Sequence, residues 1–167
     1  MELLWSGNRA IFSKFLMLTG YYPRPGDLLT RVLATGTFDI LHPGHVYFLT
    51  QARALGDELF VIVARDSNVT HKPKPIVPEK QRLEMVNALG TVDKATLGSE
   101  KDMFEPLKEI RPDIIALGYD QHFDIELLEI ELTKRGLPAK VVRIPLSKRC
   151  PLCSTGAIIK EVLKRYG

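Results

Sequence analysis

The chain has 167 residues, 45% of them hydrophobic and 26% charged, with a formal net charge of +3. That suits one domain with a real core, or one domain plus a short extension, and it excludes bulk disorder, collagen-like and low-complexity classes. No uncharged apolar run reaches the roughly 18 residues of a membrane span, two cysteines are too few for a disulfide scaffold and make a cytoplasmic location the default, and +3 is too weak a charge to argue nucleic-acid binding.

Residues 1–29 read as an N-terminal extension. Trp5 to Leu18 is apolar and aromatic with Arg9 and Lys14 interspersed, and Tyr21-Tyr22-Pro23-Arg24-Pro25-Gly26 then breaks any helix. Glu2 in place of a basic start, the two interrupting charges and the lack of a small-residue cleavage site argue against a signal peptide. A short amphipathic helix or packed arm is expected, with a start codon assigned too far upstream as the alternative. The main domain is expected over residues 30–167.

From Thr30 the chain alternates. Arg31–Thr35 is a short apolar strand, and Pro43–Leu55 a helix with its proline in the first turn, where an N–H has no helical partner anyway. Glu58–Ala64 is a buried strand, and Asp66–Pro78 a polar loop with three prolines. Pro78–Leu89 is a helix, Lys94–Leu97 a strand, Met103–Ile110 a helix and Asp113–Leu117 a buried strand. Asp124–Arg135 is a helix with Gly136 as its left-handed cap, Lys140–Ile144 a strand and Ser154–Arg165 the last helix. Five strand-helix alternations with continuous apolar strands predict an α/β fold, a Rossmann-like, doubly wound parallel five-stranded sheet. Ligands of such sheets sit beyond the carboxyl ends of the strands, near the topological switch point. That selects three loops, 36–45, 118–124 and 147–155.

The first loop carries the chemistry. In Thr35-Gly36-Thr37-Phe38-Asp39-Ile40-Leu41-His42-Pro43-Gly44-His45 two histidines lie three apart at a strand-to-helix junction. At that spacing both imidazoles face one side. The helix N-terminus adds backbone N–H donors and the positive end of a dipole, and Gly44 lets a ligand approach the backbone. Together they make an anion site aimed at phosphate oxygens. Structural histidines or a two-histidine metal site are the alternatives, but no acid falls at metal-ligand spacing on this helix. Charge agrees with an anion. Residues 133–167 hold nine Lys or Arg against the single acid Glu161, a net +8, which leaves −5 on the remainder. A solvated lysine-rich helix face is the competing reading.

Thr37-Phe38-Asp39 followed by His42-Pro43-Gly44-His45 resembles the nucleotidylyltransferases of the cytidylyltransferase-like superfamily, from about Arg31 to the C-terminus. Within it, GTFDILHPGH, VIVARD, GYDQ with Phe123-Asp124, and Cys150-Pro151-Leu152-Cys153 before Ser154-Thr155 look most like the archaeal-type FAD synthetases. The resemblance implies AMP transfer from ATP to FMN, giving FAD and pyrophosphate, by direct in-line attack with no covalent enzyme intermediate. It further implies Mg²⁺ carried by the substrate phosphates and no metal held by the protein alone. His42 and His45 would bond the nucleotide phosphates, while Thr37, the Phe38 backbone, Pro43 and Gly44 would line the same pocket. Lys72 or Lys74 would neutralise phosphate charge. Lys148, Arg149, Ser154, Thr155 and the N-terminus of the last helix would hold triphosphate oxygens. Arg82 is similar to a family arginine, with an exposed helix charge as the alternative. Gly156 departs from the family pattern, in which a second threonine stands nearby, so one phosphate donor is missing or replaced by backbone.

An acid after a Rossmann-type strand can accept both ribose hydroxyls. Asp120 is the residue so placed, with an Asx-turn as the alternative. His122 reads equally as a turn residue or a substrate contact. Tyr119, Phe123 and the N-terminal aromatics Trp5, Phe12, Tyr21 and Tyr22 are candidates to stack on a flavin, although core packing is the commoner fate of such residues. Cys150 and Cys153 form one CxxC pair, short of a zinc set. A disulfide there would lock the phosphate loop and make activity sensitive to oxidation; two incidental thiols are the alternative. Glycerol phosphate with CTP, or phosphopantetheine with ATP, are the alternative substrates, and a nucleotide-binding regulatory protein without turnover is the alternative of another class. A homodimer is expected from the family, and neither a nucleic acid nor a membrane as partner.

Overall fold

The computed structural model describes residues 29–70, 73–145 and 150–167. The extension read at 1–29, apart from Leu29, and the candidate residues Lys72, Lys148 and Arg149 lie outside them. The elements are β1 (Arg31–Gly36), α1 (Pro43–Arg53), β2 (Glu58–Val63), α2 (Glu79–Asn87), β3 (Lys94–Leu97), α3 (Glu105–Ile110), β4 (Ile114–Leu117), α4 (Ile125–Lys134), β5 (Lys140–Arg143) and α5 (Thr155–Tyr166). A 3-10 turn, Asp66–Asn68, opens the segment read as plain loop. Elsewhere the expected boundaries hold to within about two residues. The helices start later than read where the first residue is a cap: Asp124 and Ser154 each accept a backbone N–H three residues on.

The sheet order is β3-β2-β1-β4-β5 and every described pairing is parallel, as expected of the doubly wound class. Side chains alternate along β1. Val32 and Ala34 join Leu49 and Ala52 of α1 and Val86 of α2 on one face. Leu33 joins Leu107 and Ile110 of α3 and Leu132 of α4 on the other. Val32–Ala34 of β1, Val61–Val63 of β2 and all of β4 are buried, which is why these strands read as continuous apolar runs. α5 contributes no fully buried side chain. Its first residue, Thr155, donates its hydroxyl to the carbonyl of Asp39.

The two ends of the sheet are built differently. At the amino end, three aspartates each close a two-bond ring with a residue of the neighbouring strand or its lead-in. Asp57 exchanges bonds with Thr30, Asp93 with Leu59 and Asp113 with Arg31, the backbone N–H of each aspartate donating and its carboxylate accepting. This satisfies strand-end donors that would otherwise lack a partner. Among the described residues no aspartate ring of this kind closes the carboxyl end, where β1 and β4 diverge. Replacing Asp113, which caps the central β1–β4 junction, with alanine is expected to lower unfolding free energy by about 1–3 kcal/mol in a urea titration. kcat/KM of the folded protein should stay within about twofold.

Candidate active site

β1 leaves the sheet through an unusual turn. Phe38 and Ile40 both have positive φ, 55° and 43°, a region that costs a bulky residue on the order of 1–3 kcal/mol. Three sets of contacts hold it. The Phe38 side chain is buried, folded back over Gly36, where an added Cβ would lie 2.8 Å from the ring. Only the backbone of Phe38 is left to line the loop. Asp39 spreads its carboxylate over the N–H groups of Ile76 and Val77, at 3.0 and 2.9 Å. Its carbonyl accepts the hydroxyl of Thr155 at 2.6 Å.

The third set is Arg82. It is 0% exposed, so the exposed-charge alternative is corrected. Its guanidinium donates to the carbonyls of Thr37, Ala64 and Val77 and to the carboxylate of Asp66. Asp66 and Glu79 exchange backbone-to-carboxylate bonds, and Arg65 pairs with Glu79. The start of α2, the end of β2 and the Thr37 turn are thus tied through one buried cation, whose donors find partners as burial requires.

The turn delivers His42 to the N-cap of α1. His42 is 8% exposed, and its Nδ1 accepts the N–H of His45 at 3.3 Å. That bond assigns the neutral tautomer with the proton on Nε2, a donor pointing away from the helix. The His42 and His45 rings stack at 3.7 Å between centroids, and Phe38 packs edge-on to His45 at 5.2 Å. Burial sets the His42 pKa below the ordinary histidine value, against a smaller opposing pull from its own backbone. The paired rings, the first turn of α1 and its dipole end therefore lie together at one end of the sheet, without a fixed positive charge on His42.

Gly44 has a more specific cause than ligand approach. A Cβ there would lie 2.5 Å from the carbonyl oxygen of Cys153. Cys150 and Cys153 are joined by a disulfide, and this short turn seats its carbonyl directly on the start of α1. Ser154 then caps α5 by accepting the N–H of Ala157 at 3.2 Å, which leaves its own hydroxyl proton to donate outward. Thr155 spends its proton on Asp39. The space around Gly156 is open, so its departure from the family pattern has no steric cause. Thr37, Pro43, Gly44, His42, His45, Ser154 and Thr155 are thus brought to one end of the sheet. Lys74 is turned to the carbonyl of Asp66.

Across the switch point, Asp120 lies exposed on the loop after β4, its carboxylate 3.2 Å from where a Gly118 Cβ would stand. Asp124 is the cap of α4, and Tyr119 and Phe123 are exposed. Sequence reasoning missed Gln121 and Arg143, which hold this loop. The available signal was a cation closing the strand KVVR after its two apolar residues.

The pKa of His42 gives a checkable sign. Above pH 6.5, its ordinary value, neutral His42 contributes to folding stability; as pH falls through its lower folded value, the N-cap bond and that contribution are lost. An NMR titration of the ligand-free protein is expected to place the His42 midpoint below 6.5. Adding inorganic pyrophosphate should raise it, because an anion favours the imidazolium. A ligand-free midpoint above 6.5 would contradict the burial described.

The model of the cytidylyltransferase-like family matches residues 33–161. The FAD synthase of Methanosarcina acetivorans is 93% identical over 151 residues, which make up 90% of this chain and the whole of that protein. The FAD synthase of Methanosarcina mazei is 86% identical over the same shares of the two chains. Among solved structures, a lipopolysaccharide core biosynthesis protein from Thermoplasma volcanium is 47% identical, with a TM-score of 0.70 over 72% of this chain and 99% of that one. Among the described residues no helix is long and apolar enough to cross a membrane. With its two-histidine motif at the switch point of a five-stranded parallel sheet, the chain belongs to the cytidylyltransferase-like family.

Proposed function

We propose that the protein is an FMN adenylyltransferase, transferring AMP from ATP to FMN with release of pyrophosphate. The observation that carries this is the near identity to whole proteins named FAD synthase, 93% and 86%. A phosphate oxygen of FMN attacks the α-phosphorus in line. The new P–O bond forms as the bond to the β-phosphate oxygen breaks, and the electron pair leaves with pyrophosphate. No side chain need be covalently modified, so the enzyme contributes position and charge stabilisation.

His42 donates from Nε2 to the phosphates, and His45 stands beside it to meet the charge that builds on the leaving group. The first-turn N–H groups of α1, with Thr37, Pro43 and Gly44, shape the same cradle. Ser154 donates at the N-terminus of α5, while Thr155 holds that terminus against Asp39. Lys72, Lys148 and Arg149 supply further positive charge, and Asp120 accepts the ribose hydroxyls.

A divalent cation fits this site as part of the substrate. Among the described residues no three carboxylate, imidazole or thiol groups converge as a metal site, and Mg²⁺ is commonly bound through phosphate oxygens. When bound, it neutralises phosphate charge. In this reading the reaction runs in the cytoplasm, where ATP is kept.

A second reading has its own observation, the 47% identical structure solved as a lipopolysaccharide core biosynthesis protein. Its acceptor would be a sugar phosphate. The higher identities favour FMN. Purified protein given ATP or CTP with FMN, glycerol phosphate, phosphopantetheine or a hexose phosphate is expected to release pyrophosphate fastest with ATP and FMN. His45→Ala should lower kcat by about 10²–10³-fold while ATP still binds, as loss of one transition-state donor does. Release with another pair only, or none from the unmutated protein, would overturn the assignment.

A further inference from the structure

The loop that carries Asp120 is held by two side chains that the phosphate site does not use. In β5, Val141 and Val142 are buried on opposite faces of the sheet, and Arg143 ends the strand. Its register partner is Leu117, the last residue of β4. The guanidinium therefore lies beside the chain as it leaves the sheet. It donates to the carbonyls of Gly118, at 3.1 Å, of Gln121, and of Phe123, at 2.7 Å. Arg31, Arg53, Arg65, Arg82, Arg135 and Arg165 each meet a carboxylate. Arg143 has no such ion pair among the described residues. A half-buried cation directed at three carbonyls of one short turn fixes the shape of that turn, because each bond is charge-assisted and the planar fork sets their relative directions.

Gln121 ties the same turn to the neighbouring strand. Its Oε1 accepts the N–H of Gly118 at 2.6 Å, and its Nε2 donates to the carbonyl and hydroxyl of Thr35 at 3.2 and 3.0 Å. The tie spans β1 and β4, the strands whose outgoing loops frame the switch point. Asp120 sits between the two anchors, immediately before Gln121.

We infer that Arg143, together with Gln121, is a positioning residue for AMP transfer: it fixes the turn 118–123 and so holds the Asp120 carboxylate where the nucleotide ribose binds. This rests on the reading of Asp120 as the ribose acceptor. Arg143 acts through the loop and need not touch the nucleotide. Lysine replaces it poorly, since one ammonium lacks the planar fork that addresses three carbonyls at once.

The test compares kcat/KM for ATP and for 2′,3′-dideoxy-ATP, each with FMN, in the unmutated enzyme and in Asp120→Asn, Arg143→Met, Arg143→Lys and Gln121→Leu. The unmutated enzyme is expected to prefer ATP by about tenfold or more, the usual scale of a hydrogen bond to a charged group. Arg143→Met should remove most of that preference by raising the KM for ATP, with kcat/KM for the dideoxy nucleotide changed less than about twofold; Arg143→Lys should restore only part of it. A purely structural role would lower both nucleotides alike, and that result overturns the inference. If Asp120→Asn abolishes the preference and Arg143→Met keeps it, the positioning role is wrong and the ribose reading survives. If Asp120→Asn keeps the preference, the ribose reading fails and takes the inference with it. Should Arg143→Met not fold by circular dichroism, Gln121→Leu carries the same comparison, with retention of the preference as the overturning result.

Discussion

A buried guanidinium holds the working end of this sheet together. Arg82 reaches from α2 to three carbonyls and a carboxylate contributed by the β1 turn, the end of β2 and the segment before α2. Such a cation is costly to bury alone and tolerable when every direction of its fork finds an acceptor. With Thr37 anchored in this way, the next residues can turn sharply through two left-handed conformations. Phe38 adds core burial on one side of that turn, and Asp39 adds bonds to Ile76, Val77 and Thr155 on the other.

What the turn produces is a helix start with an imidazole as its cap. His42 closes the first turn of α1 with Nδ1, which commits Nε2 to donating. The same geometry stacks His45 against it. Burial holds the His42 pKa below the ordinary histidine value, so in the proposed function it serves as a directional donor more than as a charge. In the proposed function the basic C-terminal part of the chain adds attraction of a longer-range kind. The Cys150–Cys153 turn seats against Gly44, so the start of α5 is carried to the same place by backbone contact. In that reading, affinity for an anion and its exact placement come from different parts of the fold.

Much of this was legible in the sequence. Apolar runs marked the buried strands, prolines and caps marked helix starts, and the motif with two histidines falls where β1 gives way to α1 at the switch point of the sheet. The illegible parts share a physical cause. Arg82, Asp39 and Arg143 act on backbone carbonyls and N–H groups far away in the chain, and such pairings leave no periodicity. Arg82 sits in Glu-Lys-Gln-Arg-Leu-Glu, where a charge looks exposed; only the fold shows it turned inward. Gly44 was read as room for a ligand because a glycine at a helix start permits that, whereas the close neighbour is a carbonyl 109 residues later in sequence. Gln121 stood within the quoted GYDQ string, yet its partner Thr35 lies on another strand.

The most direct trial is a crystal structure with FMN and an ATP analogue whose α,β-bridging oxygen is replaced by a methylene group. Nε2 of His42 and the ring of His45 are expected within about 3.2 Å of oxygens on the phosphate chain, with the FMN phosphate opposite the bridging carbon. Both rings turned away from the phosphates, or the triphosphate bound elsewhere on the sheet, would contradict that placement.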